Sequence, residues 1–490
     1  VGLSDTRTNE HITTILQRVV ELSVAALSCR HAVQIVINIR VRENTMPQVS
    51  AVVERTHSLD AACDLFLADL GDWVKTCIDR YRDALPIDIH DQATYASSWN
   101  IWIKYTNDPD ASEFLYVLSD RISDYFQHTD QWHHGYWAQQ EVHHGTEHFE
   151  LFLNALYRLN PEHAATRSKI LDACEHIGNW GNDCPDWFDW KTSLFRSTHL
   201  GTRTVIERPG HDINIPDHLR MINLSFLAFR VSGDSRYLDL AIAHCSRWAD
   251  AINASDQIPV ALQGEGWINQ YSDEQRAVYG SFIEKLNTFD TDLDRAESFL
   301  ASNGVDTFLE ALNVTSDKKF LSAAERLLDV FATQLHDPDA GAAVDAIRRY
   351  RSLTGSNRYD SDILQAVADV HPENIGVISL DPAYDWGGRP KGIGKRKDMA
   401  KWYEDGEDRA HSPILLSLAA EISGDQLLAR RSVEIARTYF RLATEAYPDG
   451  RDHGCSGCSV SAIARGHGRD NNAGVVSAVL EPMLSLRSDE

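Results

Sequence analysis

The sequence predicts an all-α protein, an (α/α) toroid (incomplete barrel) of six to seven helical hairpins, and two recurring patterns carry that expectation. The first is a turn phrase that returns along the chain. It appears as Ser232-Gly-Asp-Ser-Arg-Tyr-Leu238, Thr315-Ser-Asp-Lys-Lys-Phe-Leu321, Thr354-Gly-Ser-Asn-Arg-Tyr359, Ser423-Gly-Asp-Gln-Leu-Leu428 and, more loosely, Asn107-Asp-Pro-Asp-Ala-Ser-Glu-Phe-Leu115. In each, Gly or a small residue ends one helix, Asp or Asn caps the next, and the aromatic or Leu packs the turn. The second pattern is alternation. A mostly apolar helix precedes each phrase and an amphipathic one follows it, such as 237–252, 320–335 and 427–442. Strand signals are scarce, and Ile35-Val-Ile-Asn-Ile-Arg-Val41 is the single strand-like run.

Taken in order, residues 1–94 read as an N-terminal helical arm or lead-in, and 95–490 as the toroid, expected to be the catalytic domain. The apolar partners are expected at 96–106, 146–159, 216–231, 305–314, 341–353, 413–422 and 473–486, buried on all sides and therefore forming the inner ring. Variable spacings and long insertions favour a closed ring over an open helical solenoid. The chain is organised around Pro209–Asp234, where the polar cluster His211, Asp212, Asn214, Asp217, His218 and Arg220 feeds into an almost wholly apolar helix ending at Gly233. That places a site at a helix N-terminus, where free N–H groups and the dipole favour anions. The alternative is a capped core helix with one buried histidine.

With 490 residues, 43% hydrophobic and 24% charged, the chain is long enough for a large core, and it has no apolar run of transmembrane length. A net charge of −25 argues against nucleic acid and against anionic membrane surfaces as partners. A start at Val1 is read as a processed or trimmed product, and the expected location is secreted or periplasmic. Eight cysteines make no disulfide framework, and Cys455-x-x-Cys458 after His453 lacks the second pair of a zinc ribbon.

The loops before the inner helices converge on one mouth of such a ring, and they carry the chemistry. Gln131-Trp-His-His-Gly-Tyr-Trp137 and Glu141-Val-His-His-Gly-Thr-Glu-His148 gather five histidines with aromatic faces suited to sugar rings. His134, Trp137, His144, Arg203, Arg409, His411, Arg469 and Asn471 are the expected substrate-binding residues. No metal is required, although a divalent ion, calcium or zinc, has candidate ligands in the histidine clusters, where His144 and His148 are spaced i, i+4. The bland reading of these clusters is surface histidines with tryptophans packed between hairpins.

The repeat pattern over about residues 95–486, with Gly233-Asp-x-x-Tyr-Leu238 as its most typical turn, resembles the toroidal polysaccharide lyases of the alginate, glucuronan and heparinoid kind. His134-Gly-Tyr-Trp137 is also similar to the Asn-His-x-x-Tyr-Trp stretch of some alginate lyases, without its Asn. The resemblance implies cleavage of an acidic polysaccharide or oligosaccharide by β-elimination. Asn, His and Arg would neutralise the uronate carboxylate and Tyr or His would remove the C5 proton, roles that fall to His211, Asn214, His218, Arg220 and Tyr136. Abstraction of that proton requires donors that stabilise the enolate-like dianion and a base near its working pKa. Two other readings stand beside it. A toroidal glycoside hydrolase or unsaturated uronyl hydrolase would use acid and base carboxylates drawn from Asp186, Asp189, Asp217, Asp306 and Asp470. A non-catalytic helical scaffold would leave the polar mouths scattered.

Overall fold

The computed structural model describes residues 49–86, 96–279, 291–337, 340–380, 400–404, 407–408, 412–446, 466–467 and 472–487. The strand-like run 35–41 and Cys455 and Cys458 lie outside the described residues. The helices of the two rings and their flanks, in chain order, are α1 (Leu59–Tyr81), α2 (Ala96–Thr106), α3 (Pro109–His128), α4 (Val142–Glu147), α5 (Asn154–Leu159), α6 (Ala164–Ile177), α7 (Leu219–Ser232), α8 (Ser235–Ala254), α9 (Asp292–Ala301), α10 (Gly304–Thr315), α11 (Lys318–Asp329), α12 (Gly341–Thr354), α13 (Asp360–Ala366), α14 (Pro413–Ser423), α15 (Gln426–Ala446) and α16 (Glu481–Leu484), and a further short helix spans Asp273–Tyr279. Wider π-helical turns at His148–Leu153 and Val476–Leu480 lead into α5 and α16.

The repeated turn phrase does the same work at each copy. Gly233, Gly355 and Gly424 sit in the left-handed region that ends a helix without a Cβ penalty, and Ser316 and Asn107 take that place in the other two copies. Asp234, Asp317 and Asp425 then cap the following helix by accepting from Arg236 N, Lys319 N and Leu427 N, and Asp108 accepts from Ala111 N. Each hairpin therefore turns tightly at the C-terminal end of its inner helix. The longer connections leave from the C-terminal ends of the outer helices, at the opposite end.

The ring can be followed helix by helix. α2 packs on α5 and its π-helical lead-in, that lead-in on α7, α7 on α10, α10 on α12, α12 on α14, α14 on Val476–Leu480, and that segment back on α2. The seven apolar segments expected to be inner helices are these seven, so the chain is an (α/α) toroid of seven inner–outer helix pairs, six of them hairpins. α3, α6, α8, α11, α13 and α15 stand outside. Helix α1, from the stretch expected to be a lead-in, fills the remaining outer place, packing on α15, α2, α3 and α16.

Closure depends on this seam between α1 and α15. Phe440 meets Phe66 and Trp73 with ring centroids 5.5 and 5.6 Å apart. Arg437 donates from Nε to Asp69 (2.6 Å) and from Nη1 to Glu54 (2.7 Å). Buried Glu434 pairs with Arg431 and accepts from Thr56 Oγ1 at 2.7 Å. Beside the seam lies an antiparallel sheet that the sequence reading does not anticipate, in the order Val49–Val52, Ile375–Leu380, Ala400–Glu404, Glu407–Asp408, with its first two strands packed on α15. Among the described residues no helix is long and apolar enough to cross a membrane.

Gly71 tests the packing of α1 on α2. It is buried mid-helix in α1 against α2, and a Cβ there would enter the indole of Trp102, with Cε2 at 2.8 Å. Helix propensity alone favours alanine by about 0.5–1 kcal/mol. Overpacking costs about 1–3 kcal/mol, so Gly71→Ala is expected to lower the urea midpoint, and a more stable variant would contradict this packing.

Candidate active site in the ring lumen

The inner helices enclose a cavity of 990 Å³ lined from α2, α5, α7, α10, α12 and the C-terminal inner segment. That volume is at the upper end of the range of small-ligand sites, about 300–1,000 Å³. The expectation that inner helices are apolar on every side is corrected here. Four of them carry a polar stripe at helical spacing, and these stripes face the lumen. They are Ser97, Asn100, Lys104 and Asn107 along α2; Arg220, Asn223 and Arg230 along α7; Asn303, Asp306 and Glu310 along α10; and Asp345 and Arg349 along α12. A closed ring leaves a space at its axis too wide for side chains to fill, so the faces that border it remain hydrated.

The lumen charges pair between neighbouring helices. Arg230 Nη1 donates to Glu310 Oε1 at 2.6 Å, joining α7 to α10. Arg349 binds Asp306 of α10 through Nη1 and Asp345 of its own helix through Nη2, the latter at 2.7 Å. Two carboxylates thus share one guanidinium. At the turn-side rim Lys104 and Arg158 are exposed and, among the described residues, form no ion pair.

The other end of the lumen is closed in by a buried polar layer. Arg220, 3% exposed, donates from Nη2 to Ala301 O (3.0 Å) and from Nη1 to His143 O (3.4 Å). Asp217, just before α7, accepts from Ser302 Oγ at 2.7 Å and lies 3.4 Å from His143 Nδ1. Burial alone would raise its carboxyl, but His143, with Arg220 and Ser302, holds it below the usual carboxylate range. Glu141 caps α4 by accepting from His143 N (2.7 Å) and His144 N (3.1 Å), and it also pairs with the His144 ring.

The residues singled out in the Pro209–Arg220 stretch serve mainly to build this end of the ring. Asn214 clamps the Phe195 peptide unit, donating to its O (2.7 Å) and accepting from its N (2.8 Å), while its own backbone bridges Leu262. His218 accepts at Nδ1 from Ile215 N (3.1 Å) and donates from Nε2 to Ser197 O (3.0 Å), with no exposed surface. Both side chains are saturated by backbone, so the carboxylate-neutralising role expected of them is corrected to a structural one. Tyr136 is 3% exposed between Phe149 and Trp187, and burial pushes its hydroxyl well above its ordinary value, which removes it as a base. His211 is buried with Nδ1 3.2 Å from His199 Nδ1.

The expected substrate-binding residues disperse. Trp137 packs in an aromatic cluster with Phe126 and Trp132, His144 serves Glu141, and Arg203 pairs with Asp130 on the surface. His134 joins a separate cluster beside α6. Arg409, His411, Arg469 and Asn471 lie outside the described residues, as does Asp470. Of the thirteen expected site residues, Arg220 is the one that lines the lumen among those described. Among the expected hydrolase carboxylates, Asp186 and Asp189 hold Arg196 and a turn at Lys191–Thr192, whereas Asp306 faces the lumen. Lys104, Arg158, Asn223, Arg230, Glu310, Asp345 and Arg349 were legible as polar residues at helical spacing inside apolar helices.

No protein-family model matches this sequence, and no curated protein matches it. Solved structures with a similar fold include an unsaturated glucuronyl hydrolase specific for heparin, at 12% identity over 75% of this chain and 98% of that one, TM-score 0.44. Others are the GH76 α-mannanase BT2949 of Bacteroides thetaiotaomicron (14% identity, 72% and 87% coverage, TM-score 0.38) and the α-1,2-mannosidase of Trichoderma reesei (12%, 82% and 85%, TM-score 0.40).

The buried histidines at the loop end predict a pH dependence. Burial, with His199 and Arg208, lowers His211 to about 4, and burial with His218 lowers His244 to about 3. These imidazoles are neutral in the folded state, while the unfolded chain takes up protons below about 6.5. Stability therefore rises with pH over the window from about 4 to 6.5 and is lost as pH falls through it. Urea midpoints are expected to drop steadily from pH 7 to pH 4, and a flat profile would contradict the buried neutral assignment.

Proposed function

We propose that this chain is a glycan-processing enzyme of the hydrolytic kind, acting on an acidic oligosaccharide bound in the ring lumen. The observation that carries the reading is the pair Asp306 and Asp345 bridged by the Arg349 guanidinium, with Asp345 also held by Arg348, on the wall of the lumen cavity. Glycoside hydrolysis needs two carboxyl groups about 5–9.5 Å apart, one protonating the leaving oxygen and the other acting on water or on the sugar. Carboxylates bound to adjacent nitrogens of one guanidinium are held within such a span. Asp306 and Asp345 reach the lumen from neighbouring helices, so one can serve as acid and the other as base to a sugar bound between them. Lys104 and Arg158 at the rim supply cations for a uronate carboxylate or a sulfate, and Asn100 and Asn223 offer amides to sugar hydroxyls.

β-Elimination is the second reading, and one arrangement favours it. His143 lies against Asp217, which orients its ring, with the Arg220 guanidinium beside them. A histidine base and an arginine neutraliser would suit that chemistry.

The test is a panel of uronate-containing oligosaccharides, saturated and unsaturated, assayed for reducing ends and for ultraviolet absorbance. Hydrolysis yields reducing ends with no new absorbance, whereas elimination creates it. Asp306→Asn and Asp345→Asn are each expected to lower kcat per folded molecule by about 10²–10⁴-fold. Turnover retained in both variants would remove this pair from the reaction. Lys104→Ala and Arg158→Ala are expected to raise KM for acidic substrates, with a smaller penalty at high salt. Equal effects on neutral glycans would sink the proposed preference for acidic sugars.

A further inference from the structure

Away from the lumen, three elements bring a second group of titratable side chains together. The hairpin Trp132–His133/Tyr136–Trp137 presents His133 and His134 from a turn in which His134 (φ 55°) and Gly135 (φ 80°) are left-handed. The last two turns of α6 present Asp172 and His176, spaced i, i+4 on one face. The loop that follows brings Asp183 and Cys184, and it passes so close that a Cβ on Gly181 would lie 2.7 Å from His176 Cε1. One ligand atom from each of His133, His134, Asp183 and Cys184 lies within 4.8 Å of the others, and the same holds for His134, Asp172 and His176.

The donor atoms of this group converge on one another, and one of them is left without a partner. His134 Nδ1 is 2.8 Å from Asp172 Oδ1, and its Nε2 is 2.8 Å from Asp183 Oδ2. A neutral imidazole has one N–H and can satisfy one carboxylate; its other nitrogen then turns a lone pair toward carboxylate oxygen. His133 Nε2 approaches the same Asp183 oxygen at 3.2 Å, and His176 Nδ1 stands 3.8 Å from Asp183 Oδ1. That His176 nitrogen is buried and has no hydrogen-bond partner, in a residue only 4% exposed. The three imidazole rings stand side by side, with centroids 3.9 and 3.8 Å apart.

We infer that His133, His134, Asp183 and Cys184 form a zinc site. His134 ligates through Nε2 while its Nδ1–H donates to Asp172, the carboxylate–histidine arrangement that orients metal-bound imidazoles. Two nitrogens, one oxygen and one sulfur make a four-coordinate set suited to Zn²⁺, whereas Ca²⁺ requires six to eight oxygens and Mg²⁺ an octahedron of them. On binding, the Cys184 thiol proton is released to solvent and the thiolate occupies the fourth position. The ion joins the hairpin to the loop after α6. It thereby fixes the hairpin against the inner ring, since Tyr136 packs tilted against lumen-lining Phe149, with ring centroids 4.4 Å apart. The site is structural and independent of the lumen carboxylates.

The experiment uses the untagged full chain, stripped with chelator and desalted, then titrated with Zn²⁺ alone by calorimetry and by melting curve. One equivalent is expected to bind and raise Tm, with no response to Ca²⁺ or Mg²⁺. Co²⁺ in place of zinc is expected to give a thiolate charge-transfer band that Cys184→Ser abolishes. His134→Asn, which tolerates the left-handed turn, should lower zinc affinity at least about tenfold, and Asp172→Asn by about 10–100-fold with the stoichiometry kept. No zinc uptake overturns the assignment. So does uptake that both His134→Asn and Cys184→Ser leave unchanged, which would place the ion elsewhere in the chain.

Discussion

The architecture depends on the seam where α1 meets α15. An open helical array has two ends, each exposing an apolar face, and a ring removes both by packing the first outer helix on the last. Phe66, Trp73 and Phe440 supply the apolar contact, while Arg437 joins Asp69 across 368 residues of chain. The charged partners add direction to an otherwise slippery contact. A guanidinium gripping Asp69 and Glu54 at once sets the axial register of α1 against α15, which hydrophobic packing alone leaves degenerate. The buried Arg431–Glu434 pair reinforces it by binding Thr56 at the entry to α1.

A closed ring of seven also creates its own functional space. Inner helices are apolar where they touch neighbours and the outer ring, and polar along the single stripe that borders the axis. Cross-links between adjacent stripes, Arg230 to Glu310 and Arg349 to Asp306, hold neighbouring inner helices in register while leaving charge in the lumen. The same residues therefore act in assembly and in whatever the lumen binds. Asp345 and Asp306, sharing Arg349, are the clearest case.

The loop end shows how polar residues at a helix N-terminus can be structural. Long connections must satisfy their backbone groups without a regular sheet, and Asn214 and His218 do this by mimicking strand and cap partners for Phe195, Ile215 and Ser197. Six clustered polar residues before an apolar helix looked like a site because the sequence does not reveal which backbone groups need partners. Asp217 and Arg220 differ from their neighbours in reaching the polar layer that borders the lumen.

By itself the sequence determined the helices, their tight turns and their division into inner and outer members, because periodicity and capping act over a few residues. All seven inner segments and the Asp caps at Asp234, Asp317 and Asp425 were legible for that reason. Tertiary structure alone decided that α1 completes the outer ring and that the strands near residues 49 and 375 pair, since such contacts join segments hundreds of residues apart. It also decided which polar residues face the lumen. Asp306 and Asp345 come together through Arg349, from two helices whose relative rotation depends on the whole ring being closed. His134 was read as a sugar-binding residue from its aromatic neighbours, and its partners Asp172 and Asp183 became evident only when α6 and the following loop were folded against the hairpin.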